Sequence, residues 1–311
     1  MSKKILVLGS KGLVGSSLNR YLNSQNFDYE ITASTRDDTD LFQPNDVKKM
    51  LENTEPDIVI NAAAKVGGIL YNDTKRVEFL LENLKINMNL LEALIPYKKT
   101  KLINLGSSCI YPLNAKNPIN ENSFMDGKLE PTNSPYAIAK IASIELSKSM
   151  KTQYGNNIIN LMPTNLYGPN DRFDDEKSHV IPGLIHKIHK AKIADHSHFE
   201  VWGTGKPKRE FLYVDDLSDF INFVIQNDIN QDLLNVGSGN EITIKKLANL
   251  IKEIIGFEGE LKFDTSKPDG NPRKLLDSSK INKMGWSSRT NLEDGIVKTY
   301  EWYKKEFNSS L

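Results

Sequence analysis

The feature that most constrains the fold is a series of short apolar runs, each followed by a longer amphipathic segment. The runs are KILVLG (4–9), EITAST (30–35), DIVINAAA (57–64), KLINLGSS (101–108) and NIINLMPT (157–164). Most of these runs are apolar without alternation, as in parallel strands that helices bury on both faces. The sequence therefore predicts an α/β fold, a doubly wound parallel sheet of the Rossmann type.

The segments between and after these runs have the 3.6-residue period of helices. Helices are predicted over residues 13–22, 77–95, 135–154, 243–256 and 292–307. Gly256 is placed to end the fourth of them, because glycine readily adopts the left-handed conformation that closes many helices.

After Thr164 the alternation gives way to loops rich in proline and glycine. The runs EFLYV (210–214) and LLNVG (233–237) are expected to return to the sheet. We predict a dinucleotide-binding domain of residues 1–165 plus about 209–240. A smaller α/β substrate domain would comprise about 166–208 plus 241–311.

Composition limits the class of protein and its partners. The 311 residues include 40 Lys plus Arg and 40 Asp plus Glu, so neither nucleic acid nor an anionic membrane is an expected partner. The single cysteine excludes an internal disulfide and suits a reducing cytoplasm. The N-terminal apolar run is too short for a signal peptide, and no segment approaches the roughly 18 apolar residues of a membrane helix. We expect a cytoplasmic protein without a metal site.

The loop GSKGLVG follows the first predicted strand and opens the first predicted helix. Its three glycines allow positive φ and let the backbone approach a pyrophosphate at the helix N-terminus. The candidate dinucleotide site consists of Gly9, Ser10, Gly12, Leu13, Val14 and Gly15. The alternative is a glycine-rich turn that serves packing alone.

Arg36 follows the second predicted strand, where dinucleotide-binding proteins select between NAD and NADP. A guanidinium at this position would pair with a 2′-phosphate, which favours NADP. Asp37 and Asp38 come next, so Arg36 could instead be a surface residue paired with a neighbouring carboxylate.

Tyr136 and Lys140 are four residues apart in a predicted helix and so project from one face. A lysine beside a phenol favours the phenolate, and we expect Lys140 to lower the pKa of Tyr136. A tyrosine tuned in this way can exchange a proton with an alkoxide. Ser107, at a predicted strand end, could hydrogen-bond the same carbonyl oxygen. Such Tyr–Lys spacing alone is common on solvated helix faces.

Cys109 is the only cysteine and lies two residues after Ser107. From its position alone, a small buried hydrophobic side chain is the favoured interpretation, because free cysteine is among the most buried residue types. A catalytic thiol at the end of a strand is the alternative.

Six longer stretches resemble a known family. They are LGSSCIYP (105–112), EPTNSPYAIAK (130–140), LMPTNLYGPND (161–171), SHVIPGLI (178–185), VWGTGKPKREFLYVDDL (201–217) and LNVGSG (234–239). With them the chain resembles the extended short-chain dehydrogenase/reductase family from Lys4 to the region of Lys305. The likeness is greatest to members that epimerise C3 and C5 and reduce C4 of GDP-4-keto-6-deoxy-D-mannose, yielding GDP-L-fucose. A relative acting on another 4-keto-6-deoxy nucleotide sugar is the alternative.

The resemblance implies a role for each candidate residue. Tyr136 would donate the proton for NADPH-dependent reduction at C4, Lys140 would hold the nicotinamide ribose, and Ser107 would hold the keto oxygen. Cys109 and His179 would be the base and the acid of epimerisation, with His179 also beside the cofactor. The residues implied to line the nicotinamide are Leu105, Gly106, Ser107, Ser108, Pro163, Thr164, Asn165 and Leu166. Those implied to bind the GDP-sugar are Lys187, Trp202, Arg209 and Asp269.

Several of these residues have a simpler interpretation by residue type. Lys187 would by default be a solvated helix lysine, and Asp269 in KPDGN a turn former. Trp202 could belong to the core, although a tryptophan beside glycines can also stack on a guanine. Lys206 and Lys208 are close enough to Arg209 in sequence to take its diphosphate-binding role.

The implied chemistry suits these residue types. A C4 ketone acidifies the neighbouring C–H bonds, and inversion at C3 and C5 needs a base on one face and an acid on the other. Unperturbed thiol and imidazole pKa values of about 8.5 and 6.5 bracket neutrality. Ser107 and Tyr136 would stabilise the enolate oxygen that forms.

Two rival functions are less favoured. Dehydratases of this family carry an acidic residue just after the strand-end serine or threonine, whereas this chain has Ser108 and Cys109. A protein that only senses a dinucleotide would be expected to lose Tyr136 or Lys140, and both are present. The long helices predicted over 77–95 and 135–154 could supply a homodimer interface, as in relatives of this family.

Overall fold

The computed structural model describes residues 2–24, 27–267 and 269–308. The strands are β1 (Lys3–Leu8), β2 (Tyr29–Ser34), β3 (Ile58–Asn61), β4 (Lys101–Leu105), β5 (Ile158–Pro163), β6 (Asn165–Tyr167), β7 (His198–Trp202), β8 (Lys208–Tyr213), β9 (Leu233–Val236), β10 (Glu241–Thr243), β11 (Glu260–Asp264) and β12 (Arg273–Lys274). The helices are α1 (Leu13–Ser24), α2 (Pro44–Thr54), α3 (Ile69–Thr74), α4 (Arg76–Leu94), α5 (Ser134–Tyr154), α6 (Val180–Ile193), α7 (Val214–Gln226), α8 (Ile244–Ile255), α9 (Ser279–Lys283) and α10 (Leu292–Asn308).

The main sheet has six parallel strands in the order β2-β1-β3-β4-β5-β9. This confirms the predicted α/β fold with a doubly wound parallel sheet. Every residue of β3, β4 and β5 is buried, which explains why these runs are apolar without alternation. The strand order reverses between β1 and β3, and ligands of such sheets bind beyond the carboxyl ends of the strands at that point.

Helices cover both faces of this sheet. Leu18 of α1 and Leu217 of α7 pack on one face, while Val47 of α2 and Leu90 of α4 pack on the other. All four side chains are fully buried. The helix α2 was not predicted, because its apolar residues are few and widely spaced among charged ones.

A ladder of buried side-chain amides crosses three strands of the main sheet. Asn61 donates to Asn104 at 3.1 Å, and Asn104 donates to Asn160 at 2.9 Å. Asn104 also donates to Ser143 of α5 at 3.0 Å, and Asn61 to Asn87 of α4 at 3.2 Å. Because each amide satisfies the next, the ladder aligns β3, β4 and β5 and fixes α5 over their carboxyl ends.

The strand predicted over 210–214 does not join the main sheet. It is β8, which pairs with β6, β10 and β12 in a smaller sheet. The prediction was wrong because an apolar run shows that a strand is buried but not which sheet it enters. The strand predicted over 233–237 is confirmed as β9, which pairs with β5.

The remaining elements pack around the smaller sheets. Strands β7 and β11 form a parallel pair, and α6, α8 and α10 share a second hydrophobic core with them. Gly256 ends α8 in the left-handed conformation, φ +69°, as predicted. The two-domain division stays a prediction, and residues 1 and 309–311 at its outer limits lie outside the described residues. Within the described part of the chain, no helix combines the length and apolarity needed to cross a membrane.

Candidate active site

The loop after β1 is shaped by two close backbone approaches. Gly9 has φ +76°, and a Cβ there would lie 2.9 Å from the Ala63 backbone beyond β3. A Cβ on Gly15 would lie 2.2 Å from the Gly9 carbonyl oxygen, so α1 begins directly against the loop. Only glycine fits at these two positions, and α1 begins beyond the carboxyl end of β1, where the strand order of the sheet reverses.

Arg36 lies beyond β2 and stacks over the Phe42 ring, with 4.8 Å from Cζ to the ring centre. Asp37 pairs with Lys11 at 3.2 Å, and Asp38 accepts bonds from the Thr35 backbone and hydroxyl. Within the described ranges no carboxylate pairs with Arg36, so the alternative of an arginine neutralised by its neighbour is not observed. Lys11, which the sequence analysis did not single out, adds a second cation near the end of β2.

Ser107 and Cys109 follow β4 at its carboxyl end. Ser107 caps a short 3-10 helix, Ser108–Ile110, by accepting a bond from the Cys109 N–H at 3.4 Å. The Ser107 side chain also lowers the pKa of the Cys109 thiol and that of the Tyr136 phenol, so it lies beside both groups. One serine thus joins the two groups that the sequence analysis assigned to proton transfer.

Tyr136 and Lys140 lie on one face of α5, as the spacing predicts. The Lys140 ammonium donates to the Leu105 carbonyl at 2.7 Å and lies 5.8 Å from the centre of the Tyr136 ring. The prediction that Lys140 lowers the pKa of Tyr136 is wrong for this structure. Burial raises the pKa of the phenol, the nearby Cys109 raises it further, and only the Ser107 hydrogen bond opposes these effects.

Burial is also the main influence on the pKa values of the two remaining proton-transfer candidates, Cys109 and His179. Burial raises the pKa of the Cys109 thiol, against the opposing effects of Lys274, Ser107 and Lys140. Burial lowers the pKa of the His179 imidazole. The His179 side chain is nevertheless exposed to solvent, a combination that indicates a ring lining a cleft.

His179 is the residue that precedes α6, and its side chain makes no capping bond to that helix. The preceding residues, Lys177 and Ser178, contact the Gly67–Gly68 backbone, which follows β3. Cys109 follows β4, the neighbour of β3 in the main sheet. The structure therefore brings the segments that carry the candidate acid and the candidate base to adjacent strand ends.

The segment implied to line the nicotinamide connects β5 with β6. The Thr164 N–H donates to the Val236 carbonyl at 3.0 Å, and the Thr164 hydroxyl donates to the Glu210 carbonyl at 3.2 Å. The Asn165 amide also donates to the Glu210 carbonyl, at 2.8 Å. These bonds hold the segment beside Leu105 and Gly106, because β4 and β5 are neighbours.

Trp202 lies at the end of β7 with 49% of its surface exposed, so it is not a core residue. The Lys187 ammonium lies 5.2 Å from its ring centre, and that of Lys267 lies 5.5 Å from it. A half-exposed tryptophan ring with two cations over it suits a nucleotide base and its phosphates. Lys267 was not anticipated from the sequence.

Arg209 and Asp269 lie near each other, and the Asp269 charge favours the charged form of Arg209. Asp269 accepts bonds from the Thr204 N–H and hydroxyl, both at 2.7 Å, which fixes the turn after Trp202. Lys208 pairs with Glu241 at 3.0 Å, whereas Arg209 has no such ion pair in the described part of the chain. Arg209 is therefore the cation of this pair that is free to hold an anion.

Lys274 is a site residue that the sequence analysis missed. It pairs with Arg209 across β12 and β8, and its charge acts on Cys109. Burial and the Arg209 charge lower the pKa of Lys274, while Cys109 and Glu130 oppose them. Its position in a proline-rich loop near the C-terminus offered no spacing pattern that could link it to Cys109. Over residues 2–24, 27–267 and 269–308, no cluster of His, Cys, Asp and Glu could hold a metal ion.

Known proteins share both the sequence and the fold of this chain. The model of the NAD dependent epimerase/dehydratase family matches residues 5–237. A "Probable GDP-L-fucose synthase 1" of Oryza sativa subsp. japonica is 48% identical, over 96% of this chain and 92% of that protein. A "GDP-L-fucose synthase" of Sinorhizobium fredii is also 48% identical, over 96% and 95%. The crystal structure of a GDP-L-fucose synthetase from Naegleria fowleri bound to NADP has a TM-score of 0.89 at 29% identity, over 99% and 95%.

Proposed function

Because the chain belongs to the NAD dependent epimerase/dehydratase family, we propose that it converts GDP-4-keto-6-deoxy-D-mannose to GDP-L-fucose in an NADP-dependent reaction. The enzyme would invert C3 and C5 and reduce C4 in one site. The observation that carries the proposal is the position of Ser107, whose side chain accepts a bond from the Cys109 N–H and acts on the pKa of both the Cys109 thiol and the Tyr136 phenol. A single carbonyl oxygen placed at Ser107 would have a proton donor and a carbon base beside it.

The residues of the nucleotide end fit NADP. The Gly9 and Gly15 backbone forms a cradle that any side chain would fill, as a pyrophosphate requires. Arg36, unpaired with carboxylates in the described ranges, would hold a 2′-phosphate. When bound, NADPH would supply the hydride that C4 receives.

The protein side chains would handle the protons. Cys109 would remove the proton from C3 and from C5, and His179 would return one from the opposite face. Ser107 and Tyr136 would hold the C4 oxygen while the enolate forms, and Tyr136 would later protonate that oxygen. Ser108 and Cys109 occupy the positions where a dehydratase needs an acid, so loss of water is not part of this scheme.

The cations would hold the GDP end of the substrate. Trp202, half exposed, would stack on the guanine, and Lys187 and Lys267, which lie over its ring, would be near the phosphates. Arg209 would grip the diphosphate. Asp269 would contribute by fixing the turn at Thr204, because both of its carboxylate oxygens are already engaged there.

We also propose that the protein is a cytoplasmic homodimer. Val77, Leu81 and Ile138 on the adjacent helices α4 and α5 are 65%, 50% and 47% exposed, an apolar surface that a second copy would cover. Sedimentation of the wild type as a dimer, and of Leu81→Glu as a folded monomer, would support the interface. A monomeric wild type would contradict it.

Consumption of NADPH tests the function directly. Purified protein should oxidise NADPH when GDP-4-keto-6-deoxy-D-mannose is added, and much less when NADH replaces NADPH. Oxidation no faster than without the sugar would refute the assigned substrate. A product with C3 or C5 unchanged would instead assign a simple 4-reductase.

A further inference from the structure

Residues 66–71, here called the strap, lead from the carboxyl end of β3 into α3 and contact the loop that carries His179. The Gly68 N–H donates to the Lys177 carbonyl at 3.0 Å. A Cβ on Gly68 would lie 2.4 Å from the Ser178 carbonyl oxygen. Gly68 has φ −66°, which any residue adopts, so glycine is required here for close approach and not for conformation.

The loop on the other side of this contact, residues 172–178, is held together by hydrogen bonds within the loop. The Ser178 hydroxyl lies 2.6 Å from the Arg172 carbonyl oxygen and 2.8 Å from that of Asp174, and it accepts a bond from the Asp174 N–H at 2.6 Å. The Asp174 carboxylate accepts bonds from the backbone N–H groups of Glu176 and Lys177. Residues 172–178 thus form a loop closed by its own hydrogen bonds, here called the 172–178 loop, and His179 is the next residue in the chain.

Tyr71 links the strap directly to the 172–178 loop and, through Phe79, to Tyr136. Its ring centre lies 5.6 Å from the Lys177 ammonium and 5.9 Å from the Arg172 guanidinium carbon. The same ring packs edge-to-face on Phe79 at 5.2 Å, and Phe79 packs edge-to-face on Tyr136 at 6.3 Å. Tyr71 thus contacts the loop of the candidate acid directly, whereas Phe79 lies between its ring and the candidate proton donor of reduction.

His179 depends on these contacts for its position. Its side chain makes no capping bond to α6 and is exposed to solvent. The backbone immediately before His179 belongs to the 172–178 loop, and that loop contacts the strap through the hydrogen bond from the Gly68 N–H to the Lys177 carbonyl. Proton transfer requires the ring to reach its target within hydrogen-bond distance, and small displacements of such groups are costly.

We propose that the strap positions His179 for epimerisation, with Gly68 and Tyr71 as positioning residues. This inference rests on the proposed function, because it assumes that His179 acts at C3 and C5. It concerns epimerisation alone: Ser107, Tyr136 and Lys140, which would serve reduction, are held by β4 and α5 instead. Loosening the strap should therefore separate the two reactions.

The test compares exchange and reduction in strap variants. In D2O with GDP-4-keto-6-deoxy-D-mannose and no NADPH, Gly68→Ala and Tyr71→Leu should lower deuterium uptake at C3 and C5 by roughly tenfold to a hundredfold. With NADPH, both variants should release a larger share of product that is reduced at C4 without inversion. Tyr71→Phe keeps the ring and its cation contacts, so its uptake should remain within about twofold of the wild type.

Gly155→Ala is the matched control for the glycine change. Gly155 ends α5, has φ +77°, and has no atom within 4 Å of an added Cβ, so the substitution strains the backbone without a clash. It should lower thermal stability and leave the ratio of exchange to reduction unchanged. If Gly68→Ala fails to fold, as judged by circular dichroism and NADPH binding, Tyr71→Leu decides the question.

The outcomes separate the inference from the function on which it rests. Wild-type protein that neither exchanges deuterium nor oxidises NADPH would refute the proposed function. Active wild type together with unimpaired exchange in Gly68→Ala and Tyr71→Leu would overturn the strap proposal alone. Equal losses of exchange and reduction in both variants would also overturn it, because a general structural role would have that effect.

Discussion

The Lys140 ammonium donates a hydrogen bond to the Leu105 carbonyl oxygen, with 2.7 Å between Nζ and O. This bond joins the middle of α5 to the last residue of β4, and it places Tyr136 one helical turn away beside Ser107. A buried lysine held in this way does not act on the phenol as a free charge would. Its ammonium lies at the ring face, while burial sets the pKa of the hydroxyl.

Burial lowers the pKa of Lys140 to about 8, so its charge should be lost within the range of ordinary assays. Below this pKa the ammonium is charged, and as pH rises through it the charge that we propose orders the cofactor ribose disappears. We expect the single-turnover rate of NADPH oxidation to fall as pH rises above about 8. A rate that stays level up to pH values far above this pKa would contradict the assignment.

Tyr136→Phe should abolish reduction while leaving exchange of the C3 and C5 protons measurable. The variant keeps the ring and its contact with Phe79 but lacks the proton that the C4 oxygen must receive. Loss of one general acid typically costs a factor of about a hundred to ten thousand. NADPH oxidation and NMR-detected deuterium uptake, measured on the same sample, check the two halves of this prediction.

The pH dependence of exchange follows from opposite pKa shifts of the two candidates. The proposed epimerisation would need Cys109 as thiolate and His179 as imidazolium, yet the thiol pKa is raised above 9.0 and the imidazole pKa is lowered below 6.5. Between these values each pH increase adds thiolate and removes imidazolium in equal proportion, so the exchange rate should form a plateau. The rate should fall on both sides of that window.

Substitution of either partner should change that profile in a defined way. In His179→Asn, exchange should be slow and should rise with pH across the former plateau, because only the thiolate requirement remains. Cys109→Ala should stop uptake at C3 and C5 while folding and NADPH binding persist. Deuterium uptake at the wild-type rate in Cys109→Ala would contradict a catalytic role and would show that Cys109 is only a small buried side chain.

Arg36→Ala should reduce the preference for NADPH over NADH. A charge-assisted hydrogen bond is worth about 2 kcal/mol, so KM for NADPH should rise roughly thirtyfold while KM for NADH changes little. The same assay with both cofactors provides its own control for damage to the fold. An equal rise of both KM values would show that Arg36 does not contact the 2′-phosphate.

Local pattern was sufficient for the main sheet, the phosphate loop and the Tyr136–Lys140 pair. These features depend on strand burial, on glycine at a turn and on helical spacing, all of which are local in sequence. The partner sheet of β8 could not be predicted, because the apolar run of residues 210–214 suits either sheet. The same limit applies to Lys274, whose relation to Cys109 exists only after β12 pairs with β8.

The directions of the pKa shifts could not be predicted from local sequence pattern either. The sequence places Lys140 near Tyr136, but the depth at which the phenol lies is a property of the packed structure. Gly67 and Gly68 stand in a stretch that the sequence analysis grouped with no motif. Gly68 is required for close approach to the Ser178 backbone and Gly67 for close approach to the Tyr71 ring, and these contacts exist only in the folded chain.

The central claim is that one site both inverts C3 and C5 and reduces C4 of a single sugar. NMR analysis of the product formed in D2O from GDP-4-keto-6-deoxy-D-mannose and NADPH tests it most directly. We predict GDP-L-fucose with deuterium at C3 and C5 and protium at C4. A C4-reduced product that retains the substrate configuration and carries no deuterium at C3 or C5 would contradict the account.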